Sequence, residues 1–153
     1  MFKDTVLAGI RSNWKRAWNG NLTTLDSKYR TDGRALILAS CLKPKQLEIA
    51  SRPNTERNHG TLGTTGCENV IPDINNGYER VHIQELIHHA TMEVATFKAE
   101  FSKVKTHLDA EALVTLAKAA GITKIYARDS RTACILHNDN DEFVGVIMPV
   151  RKD

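Results

Sequence analysis

The feature that most constrains the fold of this chain is a long run of apolar residues spaced three and four positions apart. Its members are Ile83, Leu86, Ile87, Ala90, Val94, Phe97, Phe101, Val104 and Leu108. This spacing places side chains on one face of an α-helix, which has 3.6 residues per turn. The pattern predicts one long helix over residues 81–107, whose apolar face packs on an internal core or mediates oligomerisation.

Residues 109–153 favour a second helix followed by three strands. Asp109 is a suitable N-cap for that helix and Gly121 a suitable C-cap. Three strand-like runs follow, with turn-forming residues between them: ITKIYAR, TACILH and EFVGVIMPV. We therefore expect an α+β fold in which two C-terminal helices, one of them long, pack on a three-stranded antiparallel meander.

The N-terminal portion is expected to be helical. A row of apolar residues at intervals of four predicts an amphipathic helix over residues 2–18. Its members are Phe2, Val6, Ile10, Trp14 and Trp18. Asp32 is a candidate cap for another helix through RALILASCL, and Pro44 either breaks that helix or opens a short one of its own.

The length of 153 residues suits a single domain, which divides into three subregions. These are a basic helical subregion over 1–52, a loop rich in Gly, Thr and Pro over 53–80, and the helix–helix–three-strand unit over 81–153. The loop has no apolar period, and a loop of this length in a compact domain is usually functional or disordered.

Hydropathy and cysteine usage predict a soluble protein of the cytoplasm. No apolar run approaches the ~18 residues of a membrane span, and the N-terminus has no signal-peptide core. Cys41, Cys67 and Cys134 are odd in number and show neither zinc nor disulfide spacing. We expect no membrane contact and no cofactor.

The charge distribution leads to the first functional hypothesis. Residues 1–57 contain eleven Lys and Arg against five Asp and Glu, although the whole chain carries only +3. A basic segment attracts nucleic acid or an acidic protein surface, and no nucleic-acid-binding motif narrows the choice. The leading prediction is a small binding protein with a macromolecular partner. Its partner-binding residues would be Arg11, Lys15, Arg16, Lys28 and Arg30.

An alternative hypothesis is an enzyme, or a binder of a small anion or nucleotide, with its site in the loop over residues 59–68. Glycine N–H groups and threonine hydroxyls suit an anion, although the spacing is not that of a P-loop. The ligand-binding candidates are Gly60, Gly63, Thr64, Thr65 and Gly66. The catalytic candidates are Cys67 as nucleophile, with Glu68 or His59 as its base.

This alternative places the loop against one edge of the predicted long helix. His82, Glu85 and His89 share that edge, beside the apolar stripe. Imidazole and carboxylate groups can bind a transition metal, so these three residues are weak candidates for a metal site. The same spacing also fits a solvated flank of Glu–His pairs, and the sequence leaves both interpretations open.

Overall fold

The computed structural model describes residues 18, 21–22, 28–49, 71–89 and 92–150. Strands dominate this part of the chain, with two α-helices and a short 3-10 helix at Ala39–Cys41. The strands are β1 (Asn21–Leu22), β2 (Tyr29–Thr31), β3 (Ala35–Leu38), β4 (Glu79–His89), β5 (Met92–Ala99), β6 (Lys105–Asp109), β7 (Lys124–Ala127), β8 (Cys134–His137) and β9 (Phe143–Ile147). The α-helices are α1 (Pro44–Ile49) and α2 (Ala110–Ala120).

These strands form one antiparallel sheet in the order β1-β2-β3-β9-β8-β7-β4-β5-β6. The first three strands come from the basic N-terminal segment, and β3 pairs directly with β9 near the C-terminus. The predicted fold class is therefore wrong. In place of two helices on a three-stranded meander, the described residues form a largely β architecture in which only α2 is longer than two helical turns.

The predicted long helix over 81–107 is replaced by β4, β5 and the start of β6. The error has a structural reason, because the register of β4 shifts between Ile83 and Glu85. Ile83 lies opposite Phe97 and Leu86 lies opposite Ala95, so these two β4 residues face the same side although they are three positions apart. The bulge thus produces a helix-like spacing within a strand, and helix-mediated oligomerisation loses its basis.

The helix predicted through RALILASCL is also wrong, because β3 occupies its first half. Leu36 and Ile37 point to opposite faces of the sheet, and both are fully buried. A strand buried on both faces is a continuous apolar run, which periodicity alone does not separate from a buried helix. The short helix at Pro44 is confirmed as α1. The predicted helix over 2–18 lies outside the described residues, apart from Trp18, which is buried.

Local signals in the C-terminal part are confirmed. Asp109 caps α2, since its Oδ1 accepts a hydrogen bond from the N–H of Ala112 at 3.2 Å. Gly121 ends α2 in the left-handed conformation, with φ at 68°. The three predicted strands form the antiparallel series β7-β8-β9, although they lie in the middle of a larger sheet.

The sheet curls around α2, and eight of the eleven residues of this helix are buried. The curl is visible where β6, one edge of the sheet, meets the segment that follows β9. The N–H of Val150 donates to the carbonyl of His107 at 2.8 Å. Inside the curl, Thr106 Oγ1 of β6 lies 3.6 Å from Cys134 Sγ of β8. The main core thus lies between the concave face of the sheet and α2.

No helix in the described ranges is both long enough and apolar enough to span a membrane. The division of the chain into three subregions stays a prediction, because residues 50–70 lie outside the described part. Strands from the first subregion nevertheless belong to the same sheet as those from the last.

A close backbone approach between β3 and β9 generates a stability prediction. A Cβ at Gly145 would lie 2.2 Å from the carbonyl oxygen of Leu36 and 3.0 Å from Cα of Ile37, so the β3–β9 pair must separate to admit it. We expect Gly145→Ala to lower the free energy of unfolding by about 1–3 kcal/mol, as overpacking does in well-packed interiors. Chemical denaturation measures this change.

Gly121→Asn is the matched control, because Gly121 has open space around its Cα and asparagine tolerates a positive φ. This control should lose less than about 1 kcal/mol. An unchanged denaturation midpoint for Gly145→Ala would contradict the close β3–β9 contact.

Candidate functional site

Most residues of the two sequence-based sites lie outside the part of the chain that the structure describes. These are Arg11, Lys15, Arg16, His59, Gly60, Gly63, Thr64, Thr65, Gly66, Cys67 and Glu68. Their roles stay predictions. The partner-binding candidates that are described are Lys28 and Arg30, next to and within β2.

Lys28 and Arg30 differ in accessibility. Lys28 is exposed, and its Nζ lies 5.6 Å from the ring centroid of Tyr29. Arg30 is only 8% exposed, and its Nη1 donates to the carbonyl of Tyr29 at 3.1 Å. Burial also lowers the pKa of Arg30. Lys28 is thus the more accessible of the two to a partner.

The weak metal candidates lie on β4, not on a helix edge. Glu85 and His89 are four residues apart, which corresponds to about 13 Å along a strand. The prediction that these two residues share one edge with His82 depended on helical geometry and is wrong. Among the described residues, no group of three His, Cys, Asp or Glu side chains is arranged to hold a metal ion. The enzyme alternative therefore loses the helix edge that its loop was expected to face.

The structure contains a cavity that the sequence did not suggest, where the turn between β5 and β6 meets the loop between β7 and β8. Its volume is about 460 Å³. Its lining residues are Lys103, Val104, Lys105, His107, Arg128, Asp129 and Ser130. Three of the seven are Lys or Arg, so we call this cavity the cationic pocket.

The β5–β6 turn forms one wall of the cationic pocket and is held by several hydrogen bonds. Ser102 Oγ donates to Glu79 Oε2 at 2.6 Å and accepts from the N–H of Val104 at 3.2 Å. The N–H of Ala99 donates to the carbonyl of Val104 at 2.9 Å. These bonds tie the turn to β4 and define the positions from which Lys103 and Lys105 project.

The β7–β8 loop forms the opposite wall. Asp129 Oδ1 accepts hydrogen bonds from the backbone N–H groups of Arg131 and Thr132, both at 2.8 Å, and from the Thr132 hydroxyl. These hydrogen bonds lower the pKa of Asp129, and the bond from the N–H of Arg131 has the largest effect. One carboxylate oxygen is thus occupied within its own loop. The side chain of Arg128 runs past Gly77, where an added Cβ would lie 3.6 Å from Arg128 Cγ.

His107 lies at the side of the cationic pocket and joins it to the core. It is 9% exposed, and its Nδ1 lies 2.9 Å from Thr96 Oγ1 on β5. Its carbonyl accepts the bond from Val150 that closes the curl of the sheet. The pocket is thus built against the seam where the two parts of the sheet meet.

The described residues hold none of the pocket's lysines or its arginine in an ion pair, although the charge of Arg128 acts on the neighbouring Asp129. Lys105 also lies directly opposite Lys98 in the β5–β6 register, and both are exposed. Like charges at facing positions destabilise a sheet, so this pair lowers stability and leaves a positive field at the pocket.

A second polar cluster lies at the β8–β9 turn. Asp141 Oδ1 accepts from the Tyr126 hydroxyl at 2.7 Å and lies 2.9 Å from His137 Nδ1. The rings of Tyr126 and His137 pack with centroids 4.8 Å apart. Burial, followed by the bond to Asp141, raises the pKa of Tyr126 to about 12. Asp141 has a φ of 60°, a conformation in which aspartate is enriched among non-glycine residues.

The residues of this second cluster have a structural role, because they belong to a β8–β9 turn that is held by several hydrogen bonds. Asn138 Oδ1 accepts from the N–H groups of Asn140 and Glu142, both at 3.0 Å, and the N–H of Asp141 donates to the Asn138 carbonyl. A carboxylate that orients an imidazole resembles part of a catalytic arrangement, but a site of that kind also needs a nucleophile in reach. Among the described residues, the contacts of the His137 ring are with Asp141, Tyr126 and Phe143, and they hold the turn in place.

Sequence reasoning missed the residues of the cationic pocket for two reasons. Lys103 and Lys105 fall within the helix predicted over 81–107, where exposed lysines are ordinary solvated residues. Asp129 and Ser130 lie between two of the predicted strands, where their residue types indicate only a turn. The available signal was the presence of basic residues in two turns at the same end of the sheet, one after β5 and one after β7. Reading that signal required the correct strand assignment.

Comparisons with protein-family models, with curated proteins and with solved structures find no match to this chain. The cationic pocket is therefore defined by the contacts, burial and charge of its own residues.

The second cluster generates a pH prediction. Hydrogen bonds from Tyr126 and His137 lower the pKa of Asp141 below its ordinary value of 3.8. A carboxylate with a lowered pKa in the folded state stabilises the fold above its unfolded pKa, and this contribution disappears as the pH falls through the folded value. Asp141→Asn should therefore be less stable than the unmodified protein at pH 7, with a difference that shrinks below pH 3.8.

The difference in stability between Asp141→Asn and the unmodified protein is measured from urea denaturation midpoints across this pH range. Asparagine tolerates the positive φ at this position, so the substitution removes the charge and keeps the turn. Asp139→Asn, at an exposed neighbouring position in the same turn, is the control for the change in net charge. A constant difference for Asp141→Asn at all pH values would contradict a stabilising charge at Asp141.

Proposed function

We propose that this protein binds an anionic macromolecule and that the cationic pocket receives an anionic group of that partner. The observation that supports the proposal is the grouping of Lys103, Lys105 and Arg128, all without ion pairs in the described structure, around a cavity of about 460 Å³. Clefts lined by charges of one sign concentrate field lines and attract ligands of the opposite sign.

The one carboxylate in the pocket does not cancel this attraction. Asp129 contributes a negative charge, but N–H groups of its own loop donate to its Oδ1. Three full positive charges against one negative charge leave the lining net positive. An incoming anion would also relieve the repulsion between Lys98 and Lys105, which face each other across β5 and β6.

The basic N-terminal segment belongs to the same proposal. Residues 1–57 carry an excess of six positive charges, and Lys28 is exposed beside β2. A partner with many negative charges would be attracted by both regions, which is why we favour a macromolecule over a small anion. The proposed location is the cytoplasm, as the sequence predicts, and the free thiols of Cys41 and Cys134 support it.

Charge reversal at the pocket tests this function. The probes are a labelled DNA strand of about 16 nucleotides and a polyglutamate peptide, titrated at low and high ionic strength. We expect binding that weakens with salt, and we expect Lys105→Glu to reduce the salt slope for the strand by at least about 0.7, the contribution of one phosphate contact.

The same substitution has a predicted effect on stability that separates lost binding from lost folding. A glutamate opposite Lys98 converts a repulsive pair into an attractive one, so Lys105→Glu should raise the free energy of unfolding by roughly 0.2–0.5 kcal/mol. Lys118→Glu on α2 makes the same change in net charge at an exposed site outside both the pocket and the basic N-terminal segment, and it is the control. Equal binding by the two variants would contradict a role for the pocket.

A further inference from the structure

The most unusual surface residue in the described part of the chain is Phe101. Its side chain is 91% exposed, and it is the one large apolar side chain there in that state. Phe101 lies in the β5–β6 turn, whose backbone is held by the bonds of Ser102 and Val104. The aromatic ring is thus displayed from a well-anchored turn.

Phe101 lies close to the cationic pocket. It is two residues from Lys103, and two residues of extended chain span at most about 7 Å. Lys105 follows on the same side of the pocket, and Arg128 lies on the opposite wall. An exposed ring and three cations that form no ion pair with the described residues therefore share one small region of the surface.

We infer that this region binds single-stranded nucleic acid, with a base stacked on Phe101 and backbone phosphates held by Lys103, Lys105 and Arg128. This inference rests on the proposed function and names its partner. Proteins that bind single strands without sequence preference combine a positive groove for the backbone with aromatic side chains on which bases stack. Every base offers a flat face, so one phenylalanine accepts any of them.

Other anionic partners fit these observations less well. The bases of a duplex are already stacked on one another and present no free face to a ring. An acidic peptide can pair its carboxylates with the cations, but those carboxylates do not stack on an exposed aromatic ring. Membrane binding grows with the apolar area that is buried, and a single phenylalanine beside a concave cationic pocket supplies little of it.

The experiment compares two probes of equal length and charge. One is a mixed-sequence DNA strand of about 16 nucleotides, and the other is an abasic deoxyribose-phosphate chain of the same length. The full chain should bind both, but the strand with bases more tightly. Phe101→Ala should weaken binding of that strand about 5- to 100-fold and leave binding of the abasic chain unchanged.

Phe101→Trp is the matched variant, because it retains a flat ring at the same exposed position. It should keep the preference for the strand with bases, and both variants should fold, since a surface side chain contributes little to stability. Equal binding of the two probes, with no effect of Phe101→Ala, would overturn the stacking role while leaving the proposed function intact. Failure to bind either probe would overturn this inference, and failure to bind the polyglutamate peptide as well would overturn the proposed function.

Two further probes separate the remaining partners. Tighter binding of a DNA duplex than of the single strand would overturn the inference. Binding to vesicles of anionic phospholipid that is lost in Phe101→Ala, combined with unchanged binding of the strand, would also overturn it and assign Phe101 to a membrane surface. Weak vesicle binding together with loss of strand binding in Phe101→Ala supports single-stranded nucleic acid as the partner.

Discussion

The arrangement of the whole molecule depends on the burial of α2 within the curl of the sheet. Leu113, Val114 and Leu116 of this helix are almost fully buried against the concave face. A helix that is buried on most of its circumference needs neighbours on several sides, and here the curled sheet supplies them. The bond from Val150 to the carbonyl of His107 then holds β6 against the segment that follows β9.

The same curl creates the cationic pocket. In the order of the sheet, β4 and β5 separate β7 from β6, so a flat sheet would keep β6 and β7 about 14 Å apart. Curling brings the turn before β6 towards the loop after β7, and Lys105 and Arg128 come to line one cavity. The positive charges at this seam oppose folding through mutual repulsion, which is a common property of sites that bind an anion.

Parts of the fold were predictable because their signals are local. The cap at Asp109, the left-handed Gly121 and the three C-terminal strands all depend on residues that are close together in the sequence. The long helix was not predictable in this way, because the bulge in β4 reproduces the three-residue step of a helix. The strand β3 was not predicted for a different reason. Burial of both its faces removes the alternation of apolar and polar residues that marks a strand.

By itself, the sequence determined the chain's charge asymmetry, the number and spacing of its cysteines, the ends of α2 and the turns between the last three strands. These properties depend on composition or on neighbouring residues. Only the tertiary structure decided that Lys103, Lys105 and Arg128 share a pocket and that Phe101 stands exposed beside it. The physical reason is that strand pairing over long sequence distances, together with the curl of the sheet around α2, sets which turns meet in space.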